Sequence, residues 1–134
     1  MPISYIPTGS ATIHIVSSVV NATGSGYAEV KRGTLNATRF WLNATHIPED
    51  ATVRLIVRAY TDGAGEVRLA VAGGSTVSGS TVYLDSWSMD DPQISTDIRD
   101  QLDNYDIDTL YCLEADTDGA NTLSIYDAWL LVEW

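Results

Sequence analysis

The clearest pattern along the chain is the alternation of apolar and polar positions between Ala51 and Ala72. Val53, Leu55 and Val57 interleave with Arg54, Ile56 and Arg58, and Val67, Leu69 and Val71 repeat the arrangement. Successive side chains of a strand point to opposite faces, so this period of two predicts two half-buried strands. The two read as a hairpin. If both apolar sets share one face, paired residues must match in number parity. That favours a three-residue loop, Gly63-Ala64-Gly65, with Gly65 left-handed in a bulge.

Other strands are predicted over residues 11–20, 26–31 and 34–42. A second hairpin is predicted from residues 109–115 and 121–126, and residues 127–134 close the chain. Thr-Asp-Gly-Ala stands at both expected hairpin tips, beginning at Thr61 and Thr117, where turn chemistry explains it. Ala128, Leu130 and Val132 should face the core, with Trp129 and Leu131 pointing the other way. Ile94, Ile98, Leu102 and Tyr105 fall on one helical stripe. They predict one short helix near residues 92–104, with Pro92 behind an Asp91 cap or Ser95 capping a shorter version. Pro2 and Pro7 suit an extended arm over residues 1–10. No linker divides residues 1–134, so a single domain is expected. The fold class is all-β, an antiparallel sandwich.

The closing stretch from Leu123 to Trp134, LSIYDAWLLVEW, resembles the last strand of jelly-roll sandwiches. Such sandwiches occur in carbohydrate-binding modules and in the decoration, turret and fibre proteins of tailed viruses. The resemblance spans about the final third of the chain and the general strand rhythm. It implies a jelly-roll-like fold and a role in binding or assembly.

Charge narrows the setting. The 134 residues carry 18 Asp+Glu against 7 Lys+Arg, a formal net charge of -11. A surface this acidic argues against nucleic acid and anionic membranes as partners. Lys31 is the only lysine, and aspartate far outnumbers glutamate. Such self-repulsion is relieved near 1 M salt, where the Debye length is about 3 Å, so the composition points to a halophilic, haloarchaeal-type environment, with an acidic mesophilic domain as the alternative. Met1 to Tyr5 shows neither a basic nor an apolar signal region. Apolar runs are also far shorter than the ~20 residues of a membrane span. Synthesis in a host cytoplasm without a signal peptide is therefore expected, with the virion as destination.

Candidate chemistry is sparse. Tyr83, Asp85, Trp87, Asp90 and Asp91 set two aromatics beside three carboxylates, a combination suited to stacking on a sugar or holding calcium. The competing reading makes this a strand end with Trp87 packed over the helix junction. Asp116 to Asn121 resembles the start of a calcium loop, but the position for the acidic bidentate ligand is Ile125, so a turn is preferred. Asn-Ala-Thr begins at Asn21, Asn36 and Asn43, either glycosylation sequons or ordinary turn residues, the latter preferred. His14 and His46 form no metal-binding spacing, and no nucleophile elbow, phosphate loop or dinucleotide fingerprint occurs. Cys112 reads as a small buried residue. No enzymatic activity and no cofactor are expected.

The leading expectation is a capsid decoration, turret or fibre subunit of a halophilic virus, assembling with itself and other virion proteins. Its candidate interface anchors are Ile56, Tyr60, Trp129 and Leu131. The alternative is a lectin-like module binding surface glycans around Trp87. A tail or baseplate position is a third option.

Overall fold

In a computed structural model, residues 9–102, 108–119 and 121–134 are described. Among these residues ten strands run β1 (Ser10–Val16), β2 (Val20–Thr23), β3 (Ala28–Glu29), β4 (Phe40–Leu42), β5 (Thr52–Tyr60), β6 (Gly65–Val71), β7 (Val82–Leu84), β8 (Gln93–Ile94), β9 (Thr109–Thr117) and β10 (Thr122–Glu133). All ladders are antiparallel and form two sheets. Sheet A has the order β1-β10-β5-β8, with β2 also on β10; sheet B has β3-β9-β6-β7, with β4 also on β9. Because β5 occupies one side of β10, β1 and β2 must lie in line along the other. By the same argument β3 and β4 lie in line along β9.

The two sheets enclose one core. Val53, Leu55, Val57 and Ala59 of β5 meet Val67 and Leu69 of β6, Tyr111 and Leu113 of β9, and Leu123, Ile125, Leu130 and Val132 of β10. The strand period puts every second residue of these strands inside, and the fold is an all-β antiparallel sandwich. Ala128, Leu130 and Val132 face this core as expected.

Both expected hairpins are overturned. β5 pairs with β10 and β8, whereas β6 pairs with β9 and β7, so residues 61–64 form an arch from one sheet to the other. Alternation reports which side of a strand is buried, and an arch and a hairpin share that signal. Gly65 is not left-handed. It sits within sheet B between Thr117 and Leu84, and a Cβ there would lie 3.3 Å from Leu123. The second arch joins β9 to β10 through Asp118, whose carboxylate accepts bonds from the Asn121 side chain at 2.6–2.7 Å. The two arches touch: a Cβ on Gly63 would meet Asn121 Nδ2 at 2.1 Å, so a larger residue there would displace the Asn121 side chain.

The expected helix is also overturned. Residues 93 and 94 form β8, and only Arg99–Gln101 makes a 3-10 turn. The exposed edge of β5 captures this segment instead. Ser95 N donates to Leu55 O at 2.8 Å and Ile98 N to Val53 O at 2.8 Å. In return, Leu55 N donates to Ser95 Oγ and Val53 N to Asp97 Oδ1, both at 2.9 Å. Ser95 thus serves, together with Asp97, as a ladder partner rather than as a helix cap. Tyr105 lies outside the described residues, as do residues 1–8 of the expected arm. Gly9 belongs to the ladder, exchanging backbone hydrogen bonds with Trp134 at 2.8 and 3.0 Å.

Candidate functional site

The outer face of sheet A follows from its register. Trp129 stands opposite His14 on one side and Ile56 on the other, and Ile56 stands opposite Ile94. Partners directly across a ladder share a face, so these four side chains form one row on the surface away from the core. Leu131 lies in the adjacent row between Thr12 and Arg54. Ile56 is only 6% exposed, Trp129 and Leu131 are half-buried, and Ile94 is 58% exposed. Ile56 is therefore the floor of an apolar strip and Ile94 its open margin. Tyr60, on the same face of β5, is 38% exposed, and its hydroxyl donates to Asp62. Between Tyr60 and the strip, Arg58 bonds Asp127 at 2.7 Å and lies over the Tyr126 ring. The four candidate anchors thus occupy one face, with this ion pair separating Tyr60 from the others.

The loop after β7 is tightly tied. Asp85 Oδ1 accepts from Trp87 N at 2.8 Å and from Ser88 Oγ at 3.2 Å, while Asp85 N donates back to Ser88 Oγ at 2.9 Å. Ser88 is buried, and its carbonyl accepts from Ala59 N. The amides of Asp90 and Asp91 both donate to Trp87 O. These bonds anchor Ser88 and leave Trp87 projecting, 73% exposed, so it does not pack over a junction. Tyr83 has a different setting, on the outer face of sheet B opposite Glu66. Among the described residues, no three His, Cys, Asp or Glu side chains are grouped to hold a metal ion.

Next to Tyr83, the Tyr27 hydroxyl donates to Glu66 at 2.5 Å and Arg68 lies 3.5 Å over the Tyr27 ring. Burial, then the Glu66 hydrogen bond, pushes the Tyr27 phenol up to about 12. Arg68 also bonds Glu114 at 2.9 Å, so this polar cluster satisfies itself. Cys112 is buried opposite Ala70 on the outward side of β9, outside the main core cluster. Burial, reinforced by Glu29 and Glu114, pushes its thiol up to about 11, the opposite of an activated nucleophile.

One feature escaped the sequence reading. A groove of about 490 Å³ opens between β1 and β10 of sheet A and β4 of sheet B, walled by Trp41, Ile13, Val132 and Trp134, with His46 and Asp108 among its polar groups. Trp41 is 66% exposed because its neighbours Phe40 and Leu42 take the inward positions. That alternation was visible, but nothing in it indicated that Trp134 would complete the wall. Of the three Asn-Ala-Thr sites, Asn43 caps the 3-10 turn Ala44–His46 by accepting from Thr45 N, while Asn21 accepts from Ser124 on β10. No protein-family model matches the chain, and no curated protein matches it with significance.

Proposed function

We propose that this chain is a non-enzymatic structural subunit that assembles with copies of itself through the outer face of sheet A, as a decoration, turret or fibre protein on the virion of a halophilic virus. The observation that carries the reading is the outward strip of Trp129, Ile56, Ile94 and Leu131 on a sheet whose other face already forms the core. A second copy would remove such a strip from water. The strand order supports a jelly-roll form of the sandwich: with β1/β2 and β3/β4 each counted as one interrupted strand, two sheets of four exchange the chain repeatedly. The charge of -11 supports a high-salt setting. The test is light scattering of wild type and Leu131→Glu in multimolar KCl. A lower assembly mass in the variant, with unchanged circular dichroism, supports the proposal; an unchanged mass counts against it.

A second reading, glycan recognition, draws on the projecting Trp87. It predicts glycan-array binding that Trp87→Ala abolishes and Leu131→Glu leaves intact.

A further inference from the structure

We propose that copies of this chain also join head to tail, with the hairpin tip at residues 31–35 of one copy seated on the Trp87–Asp91 loop of the next. This rests on the self-assembly reading above but uses surfaces separate from the sheet A strip.

The first surface is cationic. Arg39, Arg58 and Arg68 are paired with Glu29, Asp127 and Glu114. Arg54 and Arg99 donate to the backbone carbonyls of Ser95, Ile47 and Pro48. Lys31 and Arg32 are adjacent and exposed and form no ion pair among the described residues; Arg32 donates to the carbonyls of Ser18 and Val19, and beside the Arg39 hydrogen bond Lys31 helps to lower the Glu29 carboxyl. The tip that bears them is held in place. Arg32 and Leu35 exchange backbone hydrogen bonds at 3.0 Å, Gly33 turns the chain at φ +64°, and the Arg32 guanidinium donates to Ser18 O at 2.9 Å. Leu35, 66% exposed, completes the tip.

The second surface is its complement. Asp90 and Asp91 are exposed, and neither carboxylate is engaged by a partner among the described residues. They flank Met89 and follow Trp87, two exposed apolar side chains. In a chain of net charge -11, most mutual approaches bring like charges together, and this pairing brings opposite ones. At high salt only close ion pairs survive screening, and contact of Leu35 with the Trp87 indole adds a part that salt does not weaken.

Position within the fold makes the contact intermolecular. The tip joins β3 to β4 at one edge of sheet B, and the loop leaves β7 at the other. Three inter-strand spacings, about 14 Å, separate those edges. The two surfaces are different patches, so the contact is heterologous and propagates into a ring or a filament.

The experiment compares sedimentation velocity of the full chain as wild type, Lys31→Glu/Arg32→Glu, Asp90→Lys/Asp91→Lys, and an equimolar mixture of the two variants. Each variant alone should associate at least about tenfold more weakly, and the mixture should recover to within about threefold of wild type. Circular dichroism checks that both variants remain folded. Wild-type association in either variant alone, or a mixture no better than its components, overturns the head-to-tail contact. If Leu131→Glu abolishes association while mixing restores nothing, the sheet A reading stands and this one falls. A monomeric wild type removes both.

Discussion

Ile56 and Trp129 face one another directly across the β5–β10 ladder, on the side of sheet A opposite Leu55 and Leu130. Leu55 and Leu130, also opposite one another, are fully buried in the core. Adjacent positions on the same two strands therefore serve different ends. Leu130→Ala should lower stability by about 2–5 kcal/mol through lost burial and the cavity left behind. Trp129→Ala should cost less stability and should weaken self-association. Urea melts and light scattering on both variants check this division, and equal effects of the two on both readouts would contradict it.

Salt should matter more than for an ordinary domain. With 18 acidic residues against 7 cations, and three of the cations in ion pairs among the described residues, acid far exceeds the positive charge available to compensate it. The melting temperature should rise steadily from low salt to multimolar KCl as repulsion is screened. Calorimetry across that range tests this, and a flat or falling profile would contradict it.

Buried hydroxyls should be costly to remove where they stand in for a strand. Ser95 Oγ receives Leu55 N at 2.9 Å, and Ser80 Oγ receives Leu69 N at 2.9 Å, both in buried positions. Ser95→Ala and Ser80→Ala each leave a buried amide without its partner, at a cost of about 1–3 kcal/mol. Ser86→Ala, an exposed control, should change stability by less than about 0.5 kcal/mol. Denaturant midpoints provide the comparison.

Two groups should shape the pH profile from opposite ends. Tyr27 is raised to about 12 by burial and by its bond to Glu66, so the folded state favours the neutral phenol. That stabilisation is complete below its ordinary value of 10.0 and is lost as pH rises from there towards 12. Glu29 is lowered from 4.5, chiefly by its hydrogen bond from Arg39, so its contribution is complete above that value and fades as pH falls below it. Tyr27→Phe should make shallower the alkaline limb of stability, to which the raised Cys112 thiol also contributes, and Glu29→Gln the acid limb. Melts across pH, with absorbance titration of the phenols, check both.

The sandwich was legible because strand period is local: Val53, Leu55 and Val57 announce a buried face wherever their partners lie. Which sheet each strand joins was not, because that choice depends on residues distant in sequence, such as the pairing of Val67 with Ala115. The four-residue spacing of Ile94, Ile98 and Leu102 mimicked a helix. The edge of β5 offered Ser95 and Asp97 amides to bind, a tertiary reward that local pattern does not record. At the candidate site, Trp129 and Leu131 were readable from alternation alone. Trp41 and Trp134 became groove walls only once β4 and β10 were placed, and the lack of an ion pair at Lys31 and Arg32 among the described residues emerged only once the other side chains were placed.

Sedimentation equilibrium of the wild-type chain in multimolar KCl, across a micromolar concentration series, tests self-assembly most directly. The account predicts a weight-average mass that rises with concentration well beyond one chain. A single mass equal to the monomer throughout the series would contradict it.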